Sequence, residues 1–266
     1  MNIKISVLQC VFNAQKSIEN SIKSILRQDF KEFEFLIIND GSTDNSAAII
    51  NKYLKLDSRI KYFYKEHTGL TDSLIFGMGK ASGDWIARID ADDISKKDRL
   101  SKQLKYVENN TNIVLLGSNF TLIKKKRIIS ESNLPLRNSD LVNNLKRSGR
   151  FFPHSSAFFS RKKANQVGGY RLSFIKAQDH DLWLRLSETG DIACLKDNLL
   201  LIYDDPNRIT NQLEGYPQYV YAFAAKVSYF ARERKFYKLE RKINNNEVKL
   251  FLERINKYIK NSKYCE

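Results

Sequence analysis

Three carboxylates fall within four residues at Asp90-Ala91-Asp92-Asp93, directly after the apolar run Trp85–Ile89. Like charges this close repel unless a cation neutralises them, and hard carboxylate oxygens favour Mg2+ or Mn2+. Alternation along an extended chain separates Asp90 and Asp92 from Ala91 and turns both to one side. Without a metal, the same residues would form a solvated acidic turn before a helix capped by Ser95. Asp40 closes a second apolar run in FLIINDGSTDNS. A carboxylate there can accept hydrogen bonds from a base or ribose, with Gly41 allowing a tight turn beside the ligand. The alternative is an Asx-turn that ends the strand. A third set, Gln178-Asp179-His180-Asp181, precedes LWLRL. Asp179 at a cleft mouth suits a general base, while Asp179 or Asp181 also suits a helix N-cap. His154 and His180 are isolated histidines and read as structural. No Ser-His-Asp set, P-loop or GxGxxG fingerprint is present.

These clusters need elements to position them. Ile3–Phe12 reads as a strand, and Ser17–Arg27 as a helix, with Ile18, Ile22, Ile25 and Leu26 at helical spacing. Glu34–Ile38 reads as a second strand, followed by a helix capped by Asp44 or Ser46 and carrying Ile49, Ile50, Tyr53 and Leu54. A strand over Ile60–Tyr64, a helix over Thr71–Ala81 and the strand Trp85–Ile89 complete four strand–helix alternations in the first 100 residues. That rhythm predicts an α/β fold with a parallel sheet covered on both faces. In such sheets ligands bind beyond the carboxyl ends of the strands, where Asp40 and Asp90–Asp93 stand. Leu100–Glu108 reads as a further helix, Ile113–Leu116 and Ser156–Ser160 as strands, Asp181–Glu188 as a helix and Leu199–Tyr203 as a buried strand. Residues 120–150 show no clear rhythm, and from Tyr216 onward the pattern is helical.

Hydrophobic residues make up 42% of 266 and charged residues 28%, which supports a buried core and excludes a disordered chain. Cys10, Cys194 and Cys265 are few, distant and odd in number, so neither a disulfide framework nor a CxxC zinc pair is expected, and a reduced cytoplasmic setting is. No apolar run approaches the roughly 18 residues of a membrane span, and MNIKISVLQCVFN suits a strand better than a signal peptide. The net charge of +15 sits in two stretches: residues 121–170, with 11 Lys/Arg against 2 acids, and residues 211–266, with 12 against 6. Local cationic patches suit an anionic lipid or a phosphate-bearing substrate, or simply a lysine-rich surface.

Taken in order, SVLQCVFN, SIKSILRQDFKEFEFLIINDGSTDNS, ASGDWIARIDADDIS and VGGYRLSFIKAQDHDLWLRL strongly resemble family-2 glycosyltransferases of the GT-A fold, over about residues 3–210. The resemblance is closest to bacterial enzymes that extend lipopolysaccharide O-antigen, lipooligosaccharide or capsule chains. It implies a Rossmann-like, mostly parallel central sheet with helices on both faces. It further implies an inverting transfer of a hexose or N-acetylhexosamine from a nucleotide-sugar, most often a UDP-sugar, with Mg2+ or Mn2+. By this resemblance Phe12 stacks near the uracil, Asp40 hydrogen-bonds it, Asp90 approaches the ribose or sugar, Asp92 binds the metal and Asp179 is the catalytic base. Three stretches depart from the family pattern. Gln178 stands where many members carry Glu, Leu74-Ile75 replaces an Arg-Asn or Leu-Asn pair, and Asp205 takes the place of a metal- or diphosphate-binding His, where it either ligates the metal as a hard carboxylate or leaves that interaction absent.

Residues 1–210 are expected to form the catalytic domain and 211–266 a basic, aromatic-rich helical extension. There Tyr219, Phe223, Val227 and Phe230 recur at helical spacing beside Lys226, Arg232, Arg234 and Lys235. The stripe is expected to pack against the catalytic domain; the alternative is a peripheral contact with the anionic inner face of the cytoplasmic membrane, suited to a lipid-linked glycan acceptor. Two other functions predict different sequence features. A nucleotidyltransferase acting on sugar phosphates would carry a glycine- and Arg/Lys-rich loop after the first strand, whereas this chain has CVFNAQKS. A basic nucleic-acid-binding module would carry a recognition motif, and none is found, so no nucleic-acid partner is expected.

Overall fold

A computed structural model describes residues 3–147, 149–204, 218–235, 250 and 253–254. The N-terminal half alternates β1 (Ile5–Val11), α1 (Ile18–Leu26), β2 (Phe33–Asp40), α2 (Ser46–Leu54), β3 (Ile60–Lys65), α3 (Leu70–Lys80) and β4 (Trp85–Arg88). A two-residue strand β5 (Ile94–Ser95) and helix α4 (Arg99–Asn109) follow. Next come β6 (Ile113–Lys124), β7 (Arg127–Glu131), α5 (Asn138–Arg147), a 3-10 turn (His154–Ser156), β8 (Phe158–Ser160) and α6 (Arg161–Gln166). The chain continues through α7 (Gln178–Leu186), β9 (Asp191–Tyr203) and α8 (Gln218–Glu233).

Among the described residues, nine strands form one sheet in the order β3-β2-β1-β4-β8-β6-β9-β5, with β7 paired to β6. The first four are parallel. From there β8 runs antiparallel to β4 and β6, while β9 is parallel to β6. Side-chain alternation in β1 and β2 sorts the core onto two faces. Ile5, Val7, Phe33, Phe35 and Ile37 join the cluster under α1, α2 and α4, whereas Leu8, Cys10, Leu36 and Ile38 join the one under α3, α5, α7 and α8. Gly77 is what allows α3 to lie so close to β1: an added Cβ would stand 2.3 Å from Leu8 Cδ1.

Several expectations need correction. Ser95 is a strand residue and caps nothing; Asp98 precedes α4. Neither Asp179 nor Asp181 is an N-cap: α7 begins at Gln178 after Ala177, so both aspartates lie in its first turn. Residues 120–150, which show no rhythm, hold the end of β6, all of β7 and α5. The rhythm is hidden because β6 is irregular between Ser118 and Phe120 and all five residues of β7 are exposed. The last strand starts at Asp191, not Leu199, and polar Lys196-Asp197-Asn198 interrupts its apolar pattern. Of Ser156–Ser160, Ser156 ends the 3-10 turn and the strand is Phe158–Ser160.

The C-terminal stripe is also placed differently. Val220, Tyr221, Ala224, Ala225 and Tyr229 of α8 join the core, and Tyr219, Phe223 and Phe230 face outward, with only Val227 partly buried. The buried face mixes the small Ala224 and Ala225 with the large Tyr221 and Tyr229, so it lies one position along the helix from the expected stripe. Beyond α8, Leu250, Glu253 and Arg254 are exposed. The 210/211 boundary lies outside the described residues. No helix among the described residues is long and apolar enough to cross a membrane.

Candidate functional site

Parallel strands β1, β2 and β4 end on one rim, and the polar residues at their ends gather there. At the end of β2, Asp40 is buried, and its carboxylate accepts from Lys65 Nζ at 2.7 Å, Thr68 N–H at 3.1 Å and Gly69 N–H at 2.9 Å. Burial alone would raise its pKa, but the Lys65 ammonium and these backbone donors outweigh it and hold the carboxyl below its ordinary value. The loop 66–69 folds over the strand end to deliver them. Gly41 (φ +72°) makes room, since a Cβ there would stand 2.7 Å from His67 N. Phe12, 46% exposed, follows β1 and stacks on the His67 ring, with centroids 3.9 Å apart. His67 Nδ1 lies 2.8 Å from Asp40 Oδ2 and 3.0 Å from the Asp40 carbonyl. Phe12, His67 and Asp40 thus make a flat aromatic wall with an ionised acid at its base, which suits a planar, hydrogen-bonding ring.

At the end of β4, one carboxylate oxygen from each of Asp90, Asp92 and Asp93 lies within 4.8 Å of the others. Local architecture holds them there. The Asp90 N–H donates to Ser155 Oγ at 2.6 Å, and its carbonyl accepts from Gln9 Nε2 and Ser21 Oγ. The fully buried Arg88 pairs with Asp90 Oδ1 at 2.5 Å. A second buried guanidinium, Arg99, donates to the Arg88 carbonyl at 2.8 Å and to Gln103 Oε1. A set of three hard oxygen donors fits Mg2+ or Mn2+.

Asp179 stands in the first turn of α7, entered through the left-handed Ala177 (φ 52°), a conformation non-glycine residues seldom adopt. Its carboxylate accepts from the His180 N–H at 2.8 Å. Burial first, and the nearby Asp90 charge, raise its pKa above the usual aspartate value. That is the direction a general base requires. Two residues on, Asp181 is buried between Arg171 and Arg185, and Arg171 also reaches Ser228 of α8. The helix bearing Asp179 is therefore braced by ion pairs from Arg185 and Arg171 to Asp181, and the Arg171 guanidinium ties it to α8 by a hydrogen bond to Ser228.

Phe12, Asp40, Asp90, Asp92 and Asp179 thus share one rim; Asp205 lies outside the described residues. His154 is half-buried, with Nε2 2.7 Å from the Tyr170 hydroxyl, and desolvation, helped by the Arg88 charge, pushes its pKa down to about 3. Burial also lowers His180 to about 4. His67, Lys65, Arg88 and Ser155 are site neighbours that sequence reasoning missed. Arg88 carried one signal: a cation two residues before an acid, inside an otherwise apolar strand.

Residues 6–168 match the family model described as glycosyl transferase family 2. An uncharacterized glycosyltransferase of Haemophilus influenzae is 34% identical over 71% of this chain and 62% of its own length. The O-antigen biosynthesis glycosyltransferase WbnJ of Escherichia coli is 33% identical over 78% of this chain and 82% of its own length. Among solved structures, S. aureus TarS 1-349 in complex with UDP-GlcNAc matches 86% of this chain and 66% of that one, with TM-score 0.69 and 16% identity. That likeness is one of fold.

Proposed function

Because this chain belongs to glycosyl transferase family 2, its model covering residues 6–168, we propose that it is an inverting glycosyltransferase. It moves a hexose or N-acetylhexosamine from a UDP-sugar to a hydroxyl of a growing bacterial surface glycan. The observation that carries this reading is the pairing of two acidic sites on one rim: the three-carboxylate cluster, and an Asp179 whose raised pKa includes the charge of Asp90.

In the proposed reaction, the acceptor oxygen bonds to the anomeric carbon as the bond to the UDP oxygen breaks, and the acceptor proton passes to the Asp179 carboxylate. A base with ordinary aspartate affinity would hold that proton poorly, so burial improves it for the task. The His180 N–H at Asp179 Oδ1 orients the carboxylate. Phe12 offers its exposed face to the uracil, and Asp40, kept ionised by Lys65, accepts from the base. Asp90, steadied by Arg88, faces the ribose or sugar. A Mg2+ or Mn2+ held by Asp92, with Asp90 and Asp93 beside it, would neutralise charge on the departing diphosphate. We assign residues 1–210 to the catalytic domain and 211–266 to an extension. We further propose a cytoplasmic enzyme working at the inner membrane face on a lipid-linked acceptor. The outward Tyr219, Phe223 and Phe230 support that setting.

Thermal-shift screening against nucleotide-sugars, with and without Mn2+, tests the donor. Stabilisation by UDP-sugars in the presence of Mn2+, followed by UDP release on adding acceptor, is expected. Stabilisation by nucleoside triphosphates with release of pyrophosphate would replace this reading with nucleotidyl transfer.

A further inference from the structure

The hairpin joining β6 to β7 is unlike the rest of the surface. Its strands close through Lys125 and Lys126, both left-handed (φ 47° and 63°). Two successive positive φ values define the tight hairpin turn that favours Asn-Gly, and lysine holds this conformation at a cost of about 1–2 kcal/mol per residue. Uncomfortable backbone at a tip is a reason to ask what the tip does. Lys124, Lys125, Lys126 and Arg127 are four consecutive exposed cations, with Lys124 paired to Asp204. Directly after them, Ile128 is 68% and Ile129 55% exposed.

Pairing adds a second peculiarity. Ile128 lies opposite Ile123, but Ser130 lies opposite Leu122, so Ile129 is an extra, bulged residue. A bulge breaks the alternation that would send neighbouring isoleucines to opposite faces, and it spoils the strand edge for pairing with another chain. An added peptide strand is therefore disfavoured, whereas cations beside protruding aliphatic side chains match an anionic lipid surface.

The register also locates this tip relative to the site. Ile94, which follows Asp93, lies opposite Leu201; Leu201 lies opposite Thr121; and Thr121 lies opposite Glu131. Because β5 is antiparallel to β9 while β6 is parallel to it, Asp93 and Lys124 fall on the same side of that row. Strand spacing and rise then put the tip on the order of 15 Å from the acidic cluster.

We propose that the hairpin tip, residues 125–129, docks on an anionic phospholipid surface and sets the acidic rim just above it. The lysines contact headgroups, and Ile128 and Ile129 enter the acyl boundary. This deepens the lipid-linked acceptor reading and rests on it only for its purpose, because vesicle binding is measured without donor or acceptor.

The test is sedimentation of the full chain with vesicles of phosphatidylcholine, alone or mixed with phosphatidylglycerol. Wild type is expected in the pellet only with the anionic mixture. Lys125→Asn combined with Lys126→Gly removes two charges while giving the turn its preferred residues, so folding is not at risk; partition should fall on the order of 20-fold. Ile128→Ser combined with Ile129→Thr keeps the charge, and should lower partition roughly tenfold. Donor hydrolysis in solution should be unchanged in both, so its loss in wild type would strike the transferase reading and not this one. The proposal falls if wild type ignores anionic vesicles or binds neutral ones equally. It falls too if the isoleucine variant binds like wild type, which would mean mere attraction to polyanions, or if only Tyr219→Ser and Phe223→Ser release the protein.

Discussion

Glu34 and Asp179 are enclosed carboxylates at opposite rims of one sheet, and their proton affinities move in opposite directions. At the amino ends of the strands, burial alone would raise the Glu34 pKa. The Lys61 ammonium, the Ser6 hydroxyl and the N–H and hydroxyl of Ser82 overcome it and lower the pKa to about 2. At the carboxyl ends, Asp179 is met only by backbone donors, from His180 and from its own N–H, and faces the Asp90 charge, so burial wins. Burial sets the stakes in both places, and the number of donors decides the sign. A satisfied carboxylate fastens strands together; an under-satisfied one keeps reactivity at the expense of stability.

Substitution should separate these roles. The largest expected effect is on catalysis: Asp179→Asn should lower kcat by about 10^2–10^4-fold, with UDP affinity in calorimetry nearly unchanged and a melting temperature no lower than wild type. The last point follows because a carboxyl with a raised folded pKa costs stability once pH exceeds that pKa, and Asn removes the cost. Unchanged turnover would take the base role from Asp179.

Glu34→Gln should do the reverse, leaving kcat per folded molecule intact while weakening the fold. With its pKa lowered from 4.5 to about 2, Glu34 contributes stability that is fully present above pH 4.5 and lost as pH falls toward 2. Denaturant titrations should therefore show wild type losing about 3 kcal/mol more than Glu34→Gln across that window. Equal losses would mean the opposite rim holds its acid no better than water does.

Asp92→Ala should weaken Mn2+-dependent UDP binding about tenfold or more, near 1.4 kcal/mol, and leave metal-free binding alone. The smallest effect is a shift in a pH profile. Activity requires ionised Asp179, so kcat should rise with pH through its raised pKa. Because Asp90 contributes to that raise, Asp90→Asn should move the acid limb to lower pH at saturating donor. An unmoved limb would uncouple the two acidic sites.

Much of the fold was readable from residue order because its signals are local. The apolar runs of β1 and β2, the helical spacing of Ile18, Ile22 and Ile25, and the turn at Asp40-Gly41 each concern neighbours within one or two elements. The same holds for the acidic cluster, since three carboxylates after a strand need no partner to be noticed. The wall beside Asp40 was not readable: His67 reaches Phe12 from 55 residues away in sequence, and only the parallel order of β1, β2 and β3 brings them together. The bulge at Ile129 is likewise invisible until β6 supplies the register.

For α8 the chain order established a helix, but its aromatic stripe Tyr219, Phe223 and Phe230, expected to pack inward, is the face turned outward. Tertiary packing buried Val220, Tyr221, Ala224, Ala225 and Tyr229 instead, a choice that depends on the partner surface of α7 and not on local spacing. The identity of the chemistry-bearing groups was thus determined by sequence alone, since charge and hydrogen-bonding capacity belong to each residue wherever it stands. Their proton affinities were decided only by the folded structure, because desolvation and donor count arise from side chains far apart along the chain.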